Sequence, residues 1–381
     1  MLRWILGLSA AYAVALSGTT VMPIVVLSMS KVAGYDEGLA TIVASAELAG
    51  IGIFGLLTPK LGLKPTWVLA VASLFAVLAG EVASFYLQTP LLLSAARLIT
   101  GLGEGCVFSL VSMSLASRAD AERLWGAINL IGGLAMGLLL FVVSLMPQRQ
   151  TDAPVFLMLA AFTAIMGPPL LLIFRSRIAV TEATHHSKLA GGKMLAVMVV
   201  VLLIYMVQAA QWAVCGYVGE RVGLSASQIG LYLAGASLAG FLGAVVPATA
   251  QDKAKRLPFV VLGFLIMAAS IHFLFNVLTV PVFVVAQVFV NIGFFIVTPF
   301  LTGVLTENDP DGSLMSRILV VAIVGATIGT AVAGPIFAAS GVSFFGWSCL
   351  APLALAALAA TLVFGHLHRT LPAKLDREAV E

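Results

Sequence analysis

Long apolar runs separated by short polar breaks dominate this chain. A helix needs about 20 mostly apolar residues to cross a bilayer, and twelve runs are long enough. They cover residues 4–29, 38–58, 66–87, 90–116, 122–146, 154–174, 194–218, 227–248, 258–279, 281–305, 314–340 and 343–366. The breaks between them carry turn residues or charge, such as "KVAGYDEG" and "ENDPDGS". The pattern predicts an all-α membrane protein with twelve transmembrane helices, called spans 1 to 12 below.

Composition supports the membrane assignment. The chain is 61% hydrophobic and only 10% charged, whereas soluble domains carry about 25% charged residues. The first run is longer than the core of a signal peptide and is followed directly by a second run, so it is predicted to be a span. The cysteines, Cys106, Cys215 and Cys349, all lie in apolar runs and predict neither a disulfide framework nor a metal site. No metal or cofactor is expected.

The distribution of Lys and Arg predicts the orientation, because cytoplasmic loops are enriched in both. With both termini inside, sixteen of the 20 basic residues fall on the cytoplasmic side. Three fall outside, namely Lys31, Arg149 and Arg221, and Arg97 lies within a span. The basic residues are thus explained by topology, and no nucleic-acid partner is expected. We expect a multi-pass protein of a bacterial inner membrane, monomeric within the lipid bilayer.

A polar stretch at 175–193 divides the spans into two sets of six. The predicted division is an N-terminal bundle at 1–176, a central cytoplasmic loop at 177–193 and a C-terminal bundle with a short tail at 194–381. A shift of 190 residues places "LAGIGIFG" (48–55) on "LAGFLGAV" (238–245), and a shift of 192 places the Gly133/Gly137 pair on Gly325/Gly329. These matches predict two pseudo-symmetric six-helix bundles.

Two local motifs accompany the 6+6 arrangement. The loop after span 2 reads "GLLTPKLGLKP", and span 4 carries Arg-x-x-x-Gly-x-x-x-Gly at Arg97, Gly101 and Gly105. With the long central loop, these features resemble the major facilitator superfamily. The resemblance implies that the loop after span 2 is a gating loop, with matching residues Gly55, Lys60, Gly62 and Lys64. The loop departs from the family pattern at Pro59, where the family has Asp, so its usual charge contacts are not expected.

The resemblance also implies a function. In this superfamily two bundles rock about a central cavity lined by spans 1, 4, 7 and 10, which gives alternating access to the two sides. The implied activity is secondary active transport. Span 5 reads "GAINLIGGLAMG" and lacks the glycine–proline step of family antiporters. Symport is therefore slightly favoured, and a proton-antiport exporter of drugs or metabolites remains an alternative.

Four charged residues fall within predicted spans, although a charge near the bilayer centre is costly. Glu104 and Glu47 lie near the middle of spans 4 and 2. Desolvation favours the neutral form of a carboxyl at that depth, so both are candidates for proton coupling. Arg97 and Glu81 lie at matching depths on a short hairpin, which predicts an ion pair. A purely structural role for the carboxyls or for this pair is the alternative.

The second half offers polar and aromatic residues instead of charges. Candidate solute-binding residues are Tyr205, Gln208, Gln211 and Trp212 of span 7, Gln287 and Asn291 of span 10, and Tyr12 of span 1. Asn291 is expected close to Gln208, because their depths match on antiparallel spans. Amides with aromatics can hold a neutral or weakly polar solute, whereas hydrogen bonding between helices is the alternative.

The leading hypothesis is a proton-coupled secondary transporter of a small organic solute, and not an enzyme. From a different class, an intramembrane enzyme could use Glu47 and Glu104 as an acid–base pair. The internal repeat argues against it, as does the lack of a Ser/His, His/Asp or metal-ligand pattern. A receptor that does not transport is a third possibility.

Overall fold

The fold is seen in a computed structural model that describes residues 2–116, 121–145, 154–174, 191–249, 256–306 and 313–378. In these ranges all regular secondary structure is helical. In the first half, span 1 consists of Leu2–Ala15 and Ser17–Val32, and span 6 of Pro154–Met166 and Pro168–Phe174. Spans 2 to 5 are Glu37–Lys60, Trp67–Tyr86, Pro90–Ala116 and Ala121–Leu145.

In the second half, spans 7, 9 and 10 are Gly191–Arg221, Arg256–Asn276 and Val280–Thr306. Span 8 is Ala226–Gly240, continued by a 3₁₀ turn at Phe241–Ala244 and the short helix Val245–Thr249. Spans 11 and 12 form one run, Ser313–Glu378, which Gly341 breaks with a φ of 80°. Eleven helices of the described ranges are long and apolar enough to cross a membrane. Since the last of them is divided at Gly341, the twelve predicted spans are confirmed.

Glycines let paired spans approach at backbone distance. A Cβ on Gly101 of span 4 would lie 1.9 Å from the carbonyl oxygen of Glu47 on span 2. In the second half, a Cβ on Gly329 of span 11 would lie 2.1 Å from the carbonyl oxygen of Met206 on span 7. A larger residue at either position would push the two backbones apart. These contacts fix the rotation of span 4 on span 2, which determines where its charges point.

The Gly133/Gly137 pair of span 5 is used differently from its sequence match. Cβ atoms there would meet the side chains of Phe241 and Leu238, which belong to the other half. Gly325 and Gly329, by contrast, face the backbone of span 7 within their own half. The shift of 192 residues therefore pairs glycines that have different neighbours.

The two halves are joined by polar contacts at one end of the bundle, where spans 1, 2 and 7 carry Lys31, Glu37 and Arg221. We call it the outer end, because the distribution of basic residues predicts that it lies outside the cell. Lys31 pairs with Glu220 at 2.5 Å, and Arg221 pairs with Glu37 at 2.9 Å. The Gly334 amide of span 11 also donates to Thr41 Oγ1 of span 2 at 3.1 Å. These contacts hold spans 1 and 2 against spans 7 and 11.

Candidate functional site

A buried ionic cluster lies inside the first half. Arg97 Nη1 donates to Glu81 Oε2 at 2.8 Å, and Arg97 Nη2 donates to Glu47 Oε2. The expected contact between Arg97 and Glu81 is present. The second partner, Glu47, was not expected. It reaches Arg97 because the glycine contact at Gly101 brings span 2 directly against span 4.

Glu104 completes the cluster. One carboxylate oxygen each from Glu47, Glu81 and Glu104 lies within 4.8 Å of the others. Glu104 makes no ion pair with Arg97 among the described contacts. Its polar neighbours are the Glu47 carboxyl, within hydrogen-bonding reach, and Ser17 Oγ at 3.4 Å. Glu81, Arg97 and Glu104 are each 0% exposed and Glu47 is 1% exposed. We call these four residues the carboxyl cluster.

The charges of the carboxyl cluster do not balance if every group is ionised. Three carboxylates would then face one guanidinium, and burying the surplus negative charge would be expensive. One oxygen each of Glu47, Glu81 and Glu104 also lacks a hydrogen-bond partner. Shared protons relieve both problems, since a protonated carboxyl is neutral and gains a donor.

A metal ion fits these residues less well than protons do. Three close carboxylates resemble the oxygen ligands of a hard cation. However, the Arg97 guanidinium already donates to two of the three carboxylates and supplies the local positive charge. A divalent ion added there would face Arg97 at close range.

A central cavity of about 310 Å³ lies between the two halves. Its wall is formed by spans 1, 2, 5, 7, 8, 10 and 11, and the described side chains that line it are uncharged. The polar ones are Thr19, Thr20, Tyr205, Gln208, Trp212, Ser237, Asn291 and Thr330. Most of the remaining wall is aliphatic or aromatic, with Phe241, Phe294 and Phe295 on one side.

Span 4, which was expected on this cavity, instead lines a separate cavity of about 130 Å³ with spans 2 and 11. Its glycine face packs on span 2, and its carboxyl Glu104 meets Ser17 of span 1. Span 1 therefore stands between the carboxyl cluster and the cavity. The wall includes spans 1, 7 and 10 as expected, but none of the four charged residues.

The predicted amide pair across spans 7 and 10 is present. Gln208 Nε2 donates to Asn291 Oδ1 at 3.2 Å, and both residues line the cavity. One turn away, Gln287 Nε2 donates to Gln211 Oε1 at 3.3 Å, but both of these side chains are 0% exposed. The expectation that Gln211 faces the cavity is wrong, because its side chain is buried in the contact between spans 7 and 10, where it bonds to Gln287. Gln287 is off the wall for the same reason.

The aromatic candidates divide in the same way. Trp212 lines the cavity, and Tyr205 lines it beside Phe294, with 5.2 Å between ring centroids. Tyr12 is not on the wall. Its hydroxyl donates to Asn129 Oδ1 at 2.5 Å, and its ring packs against Trp125 inside the first half.

The gating-loop candidates lie at the end of span 2 opposite the outer end. Gly55 approaches Val320 of span 11, with 4.0 Å from a built Cβ. Gly62 has a φ of 58°, the left-handed conformation that glycine tolerates in a turn. Lys64 is exposed, and the side chain of Lys60 lies outside the described part of the chain. Arg149 and most of the predicted central loop also lie outside the described residues.

No protein-family model and no curated protein matches the sequence. Solved structures do match the fold. A bacterial homolog of the human lysosomal transporter Spinster, inward-facing and unoccupied, matches at 12% identity over 95% of both chains, with a TM-score of 0.71. A D-xylose-proton symporter matches at 18% identity over 94% of this chain and 96% of that one, with a TM-score of 0.73. A point mutant of the nucleoside transporter NupG matches at 14% identity over 96% of this chain and 99% of that one, with a TM-score of 0.69.

Proposed function

We propose that this chain, which has the fold of the major facilitator superfamily, is a secondary active transporter that moves a small uncharged organic solute by alternating access and is coupled to protons. The observation that carries the proposal is the position of the carboxyl cluster. Groups suited to hold protons lie one helix away from a cavity suited to hold a solute.

Transport is supported by where the cavity lies. It is bounded by spans of both halves, so a relative rotation of the halves would change the side to which it opens. Three of the structures with the same fold carry transporter names, among them a proton symporter. Intramembrane catalysis by Glu47 and Glu104 is disfavoured, because neither carboxyl lines the cavity where a substrate would bind.

Proton coupling is supported by the chemistry of the carboxyl cluster. Three carboxyls share one guanidinium in a site without solvent contact. Adding or removing a proton there changes the buried charge by one unit, which is costly enough to favour one conformation over another. A proton is also the cation that fits beside Arg97 without displacing it.

The cavity wall supports an uncharged solute. A charged solute would lose its hydration without gaining an opposite charge from the described wall. Aromatic faces and the amides of Gln208 and Asn291 instead offer stacking and hydrogen bonds. A solute with one flat apolar face and one polar edge fits this distribution.

The sequence of span 5 slightly favours one direction of coupling. Because "GAINLIGGLAMG" lacks the glycine–proline step of antiporters, symport is favoured over export by antiport. The proposed setting is a bacterial inner membrane, with both termini cytoplasmic and the protein monomeric.

Uptake in proteoliposomes tests this proposal. The purified chain is reconstituted, a proton gradient of either sign is imposed, and a panel of uncharged metabolites and drugs is assayed for accumulation. Symport predicts accumulation on the side to which protons flow, and antiport predicts accumulation on the opposite side. Equal distribution of every transported solute under both gradients would contradict proton coupling, and catalytic conversion of a solute would contradict transport.

A further inference from the structure

The break in span 1 lies between the carboxyl cluster and the cavity. The first helix ends at Ala15, the second begins at Ser17, and Leu16 between them is non-helical, with φ −123° and ψ 12°. Leu16 is the N-cap of the second helix, and its carbonyl accepts from the Thr20 amide at 3.1 Å. The same carbonyl also accepts from the Thr19 and Thr20 hydroxyls at 2.8 and 2.9 Å. Side-chain hydroxyls therefore stabilise the break.

One side of the break touches the carboxyl cluster. Ser17 Oγ lies 3.4 Å from Glu104 Oε1. A Cβ built on Gly18 would lie 1.7 Å from Glu47 Oε1, so that carboxyl is packed directly on the span 1 backbone. The charged groups around Glu104 are Glu47, Glu81 and Arg97, with the Glu47 carboxyl within hydrogen-bonding reach. The uncharged neighbours of the cluster are Ser17 at Glu104, Gly18 at Glu47 and Phe156 at Arg97.

The other side of the break touches the solute cavity and the second half. Leu16, Thr19 and Thr20 line the cavity. Trp212 Nε1 of span 7 donates to the Thr19 carbonyl oxygen at 3.1 Å. Ser17, which contacts Glu104, is thus only two residues before Thr19, which accepts the hydrogen bond that joins the two halves at the cavity wall.

The Ser17 hydroxyl has two ways of placing its single hydrogen. Its oxygen lies 2.9 Å from the Val14 carbonyl oxygen as well as 3.4 Å from Glu104. If Glu104 is protonated, it can donate to Glu47 or to Ser17, and in either case the Ser17 hydroxyl can donate to Val14. If Glu104 is ionised, the hydroxyl hydrogen turns to the carboxylate, and the Val14 carbonyl at the end of its helix loses that donor.

We propose that the break at Leu16–Gly18 links the carboxyl cluster to the cavity, with Ser17 and Trp212 as positioning residues that transmit the protonation state of Glu104 to the contact between the halves. This inference rests on the proposed proton coupling and extends it to a route. Because the hydrogen bond from Trp212 ends on the backbone next to Gly18, a shift of Ser17 changes its length directly.

The test measures how the cavity responds to pH without requiring the solute. A Ser237→Cys reporter on the cavity wall is labelled with a water-soluble maleimide in the full-length protein, at about pH 6 and about pH 8. The native cysteines are buried. The quantity compared is the ratio of the labelling rate at about pH 8 to that at about pH 6. The same reporter in a Glu104→Gln background gives the reference ratio, which reflects the pH dependence of the thiol alone. We expect the parent ratio to differ from that reference by about five-fold, the effect of roughly one hydrogen bond.

Two variants then test the link through Ser17 and Trp212 separately from proton binding at Glu104. Trp212→Phe keeps an aromatic ring but removes the donor, and Ser17→Ala removes the hydroxyl, so each should bring the ratio to the Glu104→Gln reference. Trp347→Phe, on the exposed face of span 12, is the matched control and should leave the parent ratio unchanged. A parent ratio equal to the reference would overturn both proton coupling at Glu104 and the link. A parent difference that both Trp212→Phe and Ser17→Ala preserve would overturn the link alone.

Discussion

At the scale of residues, Arg97 connects carboxyls from two neighbouring spans. It donates to Glu81 of span 3 and Glu47 of span 2, and its guanidinium lies 5.3 Å from the ring centroid of Phe156 on span 6. Each contact replaces part of the hydration that the guanidinium loses on burial. Glu104 has no guanidinium contact of its own among the described contacts, and it is the carboxyl that we propose binds the coupling proton.

Glu104→Gln is expected to preserve the fold and abolish concentrative transport. The amide resembles the protonated acid in shape and keeps a donor for Ser17, so solute binding and exchange should remain within about two-fold of the parent. Uptake with and without a proton gradient measures the effect. Asp36→Asn, at an exposed helix cap whose acceptor role an amide keeps, is the control for loss of one carboxylate. Survival of gradient-driven accumulation in Glu104→Gln would show that the coupling proton binds elsewhere.

Arg97 and Glu81 are expected to be strongly coupled in a double-mutant cycle. Arg97→Gln alone leaves the buried carboxylates without their guanidinium, which costs about 3–5 kcal/mol and should lower expression and thermal stability. Glu81→Gln alone should cost less, because Arg97 keeps its contact with Glu47. The double variant should recover part of that loss, and Lys31/Glu220 at the half-exposed outer end should show a coupling below about 1 kcal/mol. Additive losses for Arg97 and Glu81 would mean that they contribute independently to stability.

At the scale of elements, spans 7 and 10 are joined by two amide contacts one turn apart. Gln208 with Asn291 faces the cavity, whereas Gln211 with Gln287 lies behind it. We propose that the first pair binds the solute, whereas the second pair joins the two helices. Amide hydrogen bonds within membrane bundles average well under 2 kcal/mol, so the helices can separate locally without large cost.

Cysteine labelling should distinguish the two amide pairs. We expect cysteines at Gln208, Trp212 and Asn291 to react with a water-soluble thiol reagent, and those at Gln211 and Gln287 to be protected. Alanine at Gln208 or Asn291 should weaken solute affinity by about five-fold with little change in proton dependence. Equal protection of all five positions, in inward- and outward-open conditions, would leave no support for a binding site on this wall.

Sequence periodicity could predict the spans and some contacts between them. Apolar run length located all twelve spans, and equal depth on neighbouring helices was enough to pair Arg97 with Glu81 and Gln208 with Asn291. The rotation of each helix was harder to predict, because close glycine contacts between helices set it. The contact of Glu47 with Arg97 therefore could not be predicted from the sequence, and neither could the position of Gln211 away from the cavity.

At the scale of the whole molecule, the two ends of the bundle differ in their charge contacts. Two ion pairs, Lys31 with Glu220 and Arg221 with Glu37, join the halves at the outer end. At the opposite end, the loop after span 2 has Pro59 where the family has Asp. The described ion pairs between the halves therefore lie at the outer end, and the loop after span 2 carries Pro59 where the resemblance predicts an anion.

Neutralising the outer pairs should favour opening at that end. Glu37→Gln combined with Glu220→Gln removes both, and at about 0.2–1 kcal/mol per half-exposed pair the expected shift is roughly five-fold. The readout is labelling of a Thr20→Cys reporter by an impermeant reagent from the predicted outside. Arg3→Gln, an exposed cation at the other end, is the control. High salt should mimic part of the effect in the parent. A labelling rate that neither change raises would show that these pairs do not hold the outer end closed.

The close approach of span 2 to span 4 has a further consequence. Gly101 and Gly105 leave no room between the two backbones, with built Cβ atoms 1.9 and 2.7 Å from the carbonyl oxygens of Glu47 and Ile51. Such helices cannot slide past each other. Glu47, Arg97 and Glu104 would therefore move together, as parts of one rigid body. When the cavity alternates between the two sides of the membrane, the distances among these three residues would stay the same. Only the groups around them, contributed by other spans, would change.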